Sequence, residues 1–490
     1  MAITGAITDA AGATSTAVTQ GGVGTVILSN VANTYKGVTT IGSGILEVTK
    51  LAAGGSNSSI GLSSNASTNL IIGNAAAATL RYAGTGDSTD RQFTVGTLGA
   101  TLDASGTGAI NFTNTAAVTL TTPATARTLT LTGNNTSANT LAAAIADGAG
   151  GGTVSLSKSG TGTWVVSGAN TYTGTTTIGS GGTLQIGSAG TSGSLGGGAV
   201  TNNATLEFNR TDSYGGTVSN AIGGTGAVKL SGGTLTLGGT NTYSGATTIT
   251  SGTLLVSGTG SINSTSGVTV SSGTTFRYNS TTAYSGGAIA NSGVVSGSGN
   301  LGTAVLGGSG SIDPGNSPGI LTAGSTNPTG GLAYNFEFTV KNANPTWGNA
   351  TNSGNDVLRL TGGTPFSAAL TSGNTVSMYL NVSSLAANDV FTGGFYTDHN
   401  ATFTSNIAGA TFKYYLYSAT GGTTYNGVKY DLYSGSLTFN VDTLAKSADF
   451  GSGPISGYSM EFTAVPEPAT WALLAFSLTT VMVLRRRRNS

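Results

Sequence analysis

The sequence predicts an all-β protein: a parallel β-helix (solenoid), then a smaller β-sandwich-like module, then one C-terminal transmembrane helix. Three observations support this expectation. Only 7% of the 490 residues are charged and 80 are glycine, so the chain is poor in the Lys and Glu that exposed amphipathic helices need. Short runs of Thr, Val, Ile and Leu alternate with Gly, Asn and Ser turns, as in strands joined by tight bends. The segment 464–490 differs in character and ends with an arginine cluster.

The predicted boundaries follow these shifts in composition. Residues 1–325 are assigned to the β-helix, residues 326–463 to the second module and residues 464–490 to the tail. Clear repeats lie near 24–50, 161–187 and 232–257.

A nine-residue kernel recurs three times in the first region. It reads Asn-Thr-Tyr-x-Gly-x-Thr-Thr-Ile at residues 33–41, 170–178 and 241–249. An apolar run stands before each kernel and another after it, which predicts strand, turn, strand, turn, strand. Stacked units of this kind form a β-helix whose inner faces make one core. The kernel residues singled out are Asn33, Tyr35, Gly37, Asn170, Tyr172, Gly174, Asn241, Tyr243 and Gly245.

The kernel also predicts how the bends are made. Glycine and asparagine tolerate positive φ, and stacked asparagines would hydrogen-bond to one another along the axis. Threonine hydroxyls would keep the outer faces hydrated. About 300 residues at ~22 per coil predict about 14 coils spaced ~4.8 Å apart. Residues 129–136 read as a decayed copy that has lost its tyrosine.

Residues 326–463 predict a different β arrangement. Alternating runs at 334–340, 376–380 and 437–441 read as antiparallel strands, and Asn426-Gly427 as a hairpin turn. Either a small β-sandwich or a capping end of the solenoid fits this pattern. The tyrosines of residues 412–433 have two interpretations, carbohydrate stacking or ordinary strand packing.

The tail predicts a membrane span. Residues 469–484 are sixteen uncharged residues followed by an arginine cluster, which places the C-terminus in the cytoplasm and the upstream part outside. No export signal is visible near Met1, so we expect the true start to lie upstream. The residues assigned to processing are Pro466, Glu467 and Pro468, and those assigned to stopping transfer are Arg485, Arg486, Arg487 and Arg488.

The order Pro-Glu-Pro, apolar span and arginine cluster resembles the PEP-CTERM protein-sorting signal of Gram-negative bacteria. The resemblance implies an exosortase-type processing protease as partner, cleavage near Pro466 and delivery to the cell surface or extracellular matrix. A plain tail anchor with a proline linker is the alternative. The two prolines keep this segment extended and open to a processing enzyme.

The kernel with its flanking strands resembles the autotransporter-associated β-strand repeat of surface-displayed bacterial passengers. Residues 310–321 resemble the proline-glycine motif that follows such repeats. A membrane barrel ends in alternating strands, whereas this chain ends in a helix-like span. We therefore expect export by a route other than self-translocation.

Composition narrows the chemistry. There is no cysteine and a single histidine, His399, so neither a Cys-built metal site nor a multi-histidine site is expected. Without the terminal arginines the net charge is about −4, which disfavours nucleic-acid binding. The best catalytic constellation is Arg81, Asp87, Asp90 and Arg91, which reads either as a site on one bend or as a solvated loop.

Two functions remain open from the sequence. The first is a non-enzymatic structural or adhesive protein of the cell surface or extracellular matrix, without a cofactor. The second is an extracellular β-helix protein that binds or degrades polysaccharide. Exopolysaccharide is a candidate partner under both.

Overall fold

A computed structural model of the chain describes residues 1–10, 15–214, 216–315, 319–338 and 356–362, and the backbone of seven later strands. The protein is all-β, a parallel β-solenoid of about 15 turns, against the 14 expected. Helix among the described residues amounts to two 3-10 segments, Ser67–Asn69 and Pro328–Gly330. The chain divides into two compact units, Met1–Val294 and Val295–Ser490.

The strands are numbered in chain order. The first nineteen are β1 Ala2–Ile3, β2 Val18–Gln20, β3 Thr25–Leu28, β4 Thr39–Ile41, β5 Gly44–Val48, β6 Leu70–Ile72, β7 Ala78–Tyr82, β8 Thr85–Thr89, β9 Thr94–Val95, β10 Ala100–Ala104, β11 Gly108–Phe112, β12 Thr119–Leu120, β13 Arg127–Thr132, β14 Ala138–Leu141, β15 Val154–Lys158, β16 Thr163–Val166, β17 Thr176–Ile178, β18 Thr183–Gly190 and β19 Val200–Asn202. The next thirteen are β20 Thr205–Arg210, β21 Thr217–Val218, β22 Ile222–Gly223, β23 Ala227–Leu237, β24 Thr247–Gly258, β25 Gly267–Val270, β26 Thr275–Ser280, β27 Ala288–Asn291, β28 Val294–Gly297, β29 Val305–Gly308, β30 Ser311–Pro314, β31 Ile320–Ala323 and β32 Ser325–Asn327. The last nine are β33 Ala333–Phe338, β34 Val357–Leu360, β35 Thr375–Val382, β36 Val390–Thr397, β37 Thr411–Tyr417, β38 Thr423–Tyr425, β39 Val428–Leu432, β40 Ser436–Asp442 and β41 Gly457–Thr463.

The first unit has three parallel faces that successive coils visit in turn. Face 1 holds β1, β3, β5, β7, β10, β13, β15, β17, β19 and β22. Face 2 holds β2, β4, β6, β9 and β12. Face 3 holds β8, β11, β14, β16, β18 and β20 and continues with the first halves of β23 and β24, then β25 and β27. The second halves of β23 and β24 stack separately, with β21 and β26. A complete coil, such as the one from β7 to β10, runs from face 1 to face 3 to face 2 and back to face 1.

Coil length in this unit varies more than a uniform repeat would predict. Thr25 pairs with Ile45, but Ile45 pairs with Thr79, which lies considerably farther along the chain. The extra residues of the coil from Ile45 to Thr79 form a long loop, or excursion, between β5 and β6. Strand register survives the excursion because side chains must keep facing the core.

The core is a set of inward ranks, each built from residues that stack across consecutive coils. In one rank Leu46, Leu80, Leu102 and Leu131 lie in direct register on face 1, and all are at most 2% exposed. Alternate residues of the same strands point outward, as strand geometry requires. The threonine-leucine alternation seen in the sequence therefore has the predicted inside and outside faces.

The second unit mixes parallel and antiparallel pairing. β30, β33, β35 and β37 pair in parallel, so the expected antiparallel arrangement of the strands at 334–340 and 376–380 is wrong. The strand at 437–441 does pair antiparallel, as part of β40 with β41. β38 and β39, the strands on either side of the predicted hairpin turn, pair antiparallel. The turn residues Asn426 and Gly427 themselves lie outside the described residues. The sandwich-like module at 326–463 remains a prediction.

Several predicted features fall outside the described residues. They are His399, Pro466 to Pro468, the span at 469–484 and Arg485 to Arg488. Where helix is described, no segment has the length and apolar character that crossing a bilayer requires.

Candidate functional site

Each repeat is a self-paired unit of four strand segments. In the first, Val18 pairs with Thr39 and Thr25 pairs with Ile45. The strand that opens the repeat therefore stacks under the kernel strand, and the strand before the kernel stacks under the one after it. The corresponding pairs are Leu156 with Thr176 and Thr163 with Thr183 in the second repeat, and Val228 with Thr247 and Thr234 with Thr253 in the third. In the third repeat the partners lie on two halves of the bent strands β23 and β24.

The three repeats occupy three different faces. The kernel strand Thr39–Ile41 lies on face 2 and Thr176–Ile178 lies on face 1. In the third repeat Thr247 stacks on Val228, which stacks on Leu206 of face 3. The kernel therefore codes for a coil and not for one fixed face of the solenoid.

The kernel asparagine connects three coils. Asn170 Oδ1 accepts the amide of Ile145 in the preceding coil at 2.8 Å, and Nδ2 donates to the carbonyl of Ser194 in the following coil at 2.7 Å. Asn33 and Asn241 make the equivalent bonds. Their partners are Ile7 and Ser59 for Asn33, and Ile222 and Ser261 for Asn241. The expectation that kernel asparagines hydrogen-bond to one another is wrong, because the buried polar groups that need partners are backbone groups of neighbouring coils.

The kernel tyrosine fills the corner of the core. Tyr35, Tyr172 and Tyr243 are 0% exposed. Each hydroxyl shares a hydrogen bond with the threonine four residues later, at 2.7 to 2.8 Å. Burial raises the pKa of Tyr35 to about 12 and raises the pKa of Tyr243 well above its usual range. The tyrosine thus supplies apolar area and also satisfies its own polar end.

The kernel glycine is required by a close backbone approach. A Cβ on Gly37 would lie 2.2 Å from the carbonyl oxygen of Thr16, and one on Gly245 would lie 2.3 Å from that of Gly226. Gly174 meets Val154 in the same way, at 2.4 Å. None of the three has φ in the left-handed region, so the expected role in positive-φ bends is wrong for these glycines.

Three residues of the candidate catalytic constellation, Asp87, Asp90 and Arg91, bind the long loop between β5 and β6. Asp87 accepts the amides of Leu51 and Ala52 at 2.7 and 2.9 Å. Asp90 accepts the amide of Gly54 at 2.7 Å and the side-chain amide of Asn65 at 3.0 Å. Both carboxylates therefore bind backbone and amide donors of residues 49–66, hereafter the clamped loop.

Arg91 holds the other side of the clamped loop. It is 3% exposed and makes five hydrogen bonds, at 2.8 to 3.2 Å, to four loop carbonyls and one hydroxyl. Burial lowers its pKa. The expectation of a solvated loop is wrong here, since a guanidinium can be buried when carbonyl groups satisfy its donors. The acceptors are the carbonyls of Leu51, Ser56, Gly61 and Ser63 and the hydroxyl of Ser63.

Arg81 lies apart from this clamp. On the outer surface of face 1 it stands between Glu47 and Asp103, with nitrogen–oxygen distances of 3.4 and 2.7 Å. The hydrogen bond that it donates to Asp103 raises the pKa of Arg81. The structure therefore separates one of the four candidate residues from the other three.

Other buried cations also satisfy backbone carbonyls. Arg127 donates to four of them. Lys158 is 0% exposed and donates to the carbonyls of Ser159 and Gly160 at 2.7 and 2.9 Å. Burial lowers the pKa of Lys158 to about 8. Coil corners leave carbonyls that the strand ladders do not use, and these cations bind them.

The proline-glycine motif at 310–321 is organised by a buried acid. Asp356 is 2% exposed and accepts the amides of Gly319 and Glu337 at 2.8 and 2.7 Å. Burial raises the pKa of this carboxyl well above its usual range. Among the described residues, no group of three or more His, Asp or Glu side chains is placed to hold a metal ion.

Comparison with known proteins bears on the same segments. The passenger-associated-transport-repeat family matches residues 18–48, 156–186 and 228–256, which are the three self-paired units. The predicted resemblance to the autotransporter-associated β-strand repeat is confirmed for these three segments. Over 178 residues it is also 52% identical to the adhesin BmaC autotransporter of Brucella suis biovar 1 (strain 1330). That alignment covers 36% of this chain but 5% of the relative, so the chain spans a small part of its length.

The prediction from the kernel did not include the first strand of each repeat or the coil that precedes the repeat. The first strands read Val-Thr-Gln, Leu-Ser-Lys and Val-Lys-Leu from residues 18, 156 and 228, and these letters have little in common. The sequence does carry a pattern that would have predicted the coil beneath the first two kernels. Ile7 and Ile145 lie one coil before Asn33 and Asn170, and an aspartate follows each isoleucine closely. Asp9 accepts the amide of Lys36, and Asp147 accepts that of Thr173.

Proposed function

We propose that this chain is an exported, non-enzymatic protein whose solenoid serves as an adhesive surface outside the cell. One observation supports this most: over 178 residues the chain is 52% identical to a protein described as an adhesin autotransporter. The fold suits the role, because a stacked β shaft offers long, regular outer faces. Its backbone polar groups are satisfied by short hydrogen bonds between neighbouring coils.

The catalytic alternative has weak support. Asp87 and Asp90 are occupied by donors of the clamped loop, and Arg91 is buried beneath it. Glycoside hydrolysis needs two carboxyl groups that both reach the substrate. The binding alternative is stronger, since face 1 carries a regular array of outward hydroxyls.

Adhesion is testable with the full chain. Beads coated with the protein in detergent would be presented to glass, to epithelial monolayers and to polysaccharide films, with albumin-coated beads as control. The proposal expects attachment to at least one of these surfaces well above the albumin control. Equal attachment of both kinds of bead to every surface would contradict an adhesive role.

The tail belongs to the same proposal. We infer that residues 464–490 act as a PEP-CTERM signal: an exosortase-type protease cleaves near Pro466, Glu467 and Pro468, and Arg485 to Arg488 keep the end of the span in the cytoplasm. The motif order in the sequence supports this inference. The precursor would be anchored in the membrane of a Gram-negative cell and the mature part would reach the surface or extracellular matrix.

Mass spectrometry of the intact protein from cells and medium tests the processing step. Cleavage predicts a product that ends near Pro466. Replacing Pro466, Glu467 and Pro468 by alanine would retain the full-length chain in the membrane, whereas the control Pro454→Ala would be processed normally. A mature protein that keeps residues 469–490 would favour the plain tail anchor.

A further inference from the structure

The outer surface of face 1 carries an unbroken rank of hydroxyls. One outward residue from each of six consecutive strands is Thr or Ser, and each pairs directly with the next in register. At the spacing of β-strands, six positions span about 24 Å along the solenoid axis. This hydroxyl rank consists of Thr79, Thr101, Thr130, Ser157, Thr177 and Thr201.

The hydroxyls of the rank face solvent and have no protein partner. Thr177 and Thr201 are exposed and the other four are half-buried. In the part of the chain that the structure describes, none of the six side-chain oxygens hydrogen-bonds to a protein group. The kernel threonines behave differently, since Thr39, Thr176 and Thr247 each bond to a tyrosine hydroxyl. The rank therefore offers six donors and twelve acceptor lone pairs to something outside.

The charged groups beside the rank are bonded to one another. Glu47, Arg81 and Asp103 lie in the neighbouring outward rank, where Arg81 pairs with the two carboxylates at 3.4 and 2.7 Å. The same rank continues with Thr132, whose hydroxyl bonds to Ser159 at 2.9 Å. Two carboxylates and one guanidinium leave one net negative charge on this side. An acidic polymer would be repelled there, and a basic polymer would find both carboxylates already bonded to Arg81, so a charged ligand would lose water without a free counter-ion.

We propose that the hydroxyl rank binds an extended, uncharged polysaccharide that lies along the solenoid axis. This inference rests on the proposed adhesive function and names its ligand class. Sugar hydroxyls both donate and accept, as do those of threonine and serine, so the two arrays can pair directly or through water. A rank with one hydroxyl per coil suits a ligand that itself repeats, and its length selects a chain over a single sugar. Weak contacts repeated six times give useful avidity.

Pull-down of the full chain by microcrystalline cellulose, an uncharged polymer, tests the inference. The triple variant Thr130→Val, Ser157→Ala, Thr177→Val removes three central hydroxyls and keeps strand-compatible side chains. It is expected to bind cellulose at least tenfold more weakly than the wild-type chain. Hydroxyl-retaining changes, Thr130→Ser with Thr177→Ser, should bind as the wild type does.

The matched control uses a shorter threonine rank on another part of the surface. Thr234, Thr253 and Thr275 stand in register across three coils, and their replacement by valine should leave cellulose binding unchanged. Circular dichroism of both triple variants checks that they fold. If either variant fails to fold, the serine pair compared with Thr130→Val alone carries the test.

Three results of the polysaccharide-binding assays overturn the inference. They are undiminished binding by the face 1 triple variant, equal loss in the control variant, and equally tight binding of acidic alginate. Loss of self-association instead of cellulose binding, seen by sedimentation, would identify a second copy as the occupant and would also overturn it. If beads coated with the wild-type chain adhere to cells while the face 1 triple variant still binds cellulose, only this inference is overturned. Beads that adhere to nothing overturn the proposed function itself.

Discussion

The kernel coils and the coil that carries the clamped loop solve one problem in two ways. Both must satisfy backbone groups at a corner where the strand ladder ends. The kernel coils rely on an asparagine between coils and a tyrosine bonded to a threonine, with one acid such as Asp147 beside them. The clamped loop, at residues 49–66, uses Arg91, Asp87 and Asp90 instead.

The difference follows from loop length. The short coil from Thr25 to Ile45 keeps its corner backbone close to the neighbouring coils, so short side chains reach it. The longer coil from Ile45 to Thr79 carries a loop too long for that, and only the long guanidinium of Arg91 reaches four of its carbonyls at once. Single charged groups such as Asp147 and Lys158 also serve regular coils, whereas the excursion gathers three charged side chains on one loop.

The largest expected effect comes from removing the charged clamp. Arg91→Met keeps the apolar length but leaves the carbonyls of Leu51 and Ser56 without their donor. The carbonyls of Gly61 and Ser63 each lose one of two donors, because the Ser58 hydroxyl and the Gly55 amide still bind them. Unsatisfied buried acceptors cost about 1–3 kcal/mol each, and some will find water, so we expect a loss of about 3–5 kcal/mol. Limited proteolysis should then cut within residues 49–66.

Arg81→Met is the matched control. It removes a partly exposed ion-paired arginine and should cost about 1 kcal/mol or less. Protease resistance of the Arg91→Met loop equal to that of the wild type would mean that the clamp does not stabilise the loop.

The next largest effect is expected from removing the asparagine side chain that connects neighbouring coils. Asn170→Ala leaves the Ile145 amide and the Ser194 carbonyl without their side-chain partner. We expect about 2–4 kcal/mol of destabilisation, with faster hydrogen exchange at the Ile145 amide. The control Asn57→Ala changes an exposed asparagine and should leave exchange at Ile145 unaltered. Exchange that stays slow in Asn170→Ala would contradict the bridging role.

A smaller effect is expected from the close approach at the kernel glycine. Gly245→Ala places a Cβ 2.3 to 2.4 Å from the backbone of Gly226, so one coil must shift. Overpacking of this kind costs about 1–3 kcal/mol. Gly197→Ala is the control, because its Cβ would meet nothing within 4 Å. Equal melting temperatures for the two variants would refute the steric explanation.

The smallest expected effect is the pH dependence of the free energy of unfolding. Lys158 has a pKa of about 8 in the fold against 10.5 ordinarily, so the unfolded chain binds more protons between these values. Stability should therefore rise from pH 8 to 10.5, by at most about 1.4 kcal/mol per pH unit. Tyr35, with a pKa of about 12, acts in the opposite sense: the unfolded tyrosine ionises first, so stability falls as pH rises from 10 through 12.

Urea unfolding between pH 7 and 12 would separate the two contributions. Lys158→Met should flatten the rise and keep the fall, whereas Tyr35→Phe should reduce the fall and keep the rise. A rise that persists in Lys158→Met would assign it to another group.

The sequence predicted the structure best where the pattern depends on uncharged residues that are close together in the chain. The all-β class, the inward and outward alternation and the antiparallel pairing of β38 with β39 follow from period and turn residues. It was misleading where partners are distant in the chain. Arg91 binds carbonyls as far away in sequence as Leu51 and Ser63, so it read as part of an exposed constellation.

By itself the sequence determined the repeat, the coil it folds into and the residues that close it, because these depend on contacts within one repeat and the coil next to it. Only the tertiary structure decided which face each repeat occupies and which hydroxyls share a rank. Those features depend on the number of strands and excursions between repeats. One added strand carries a repeat to the next face of the solenoid while its own letters stay the same.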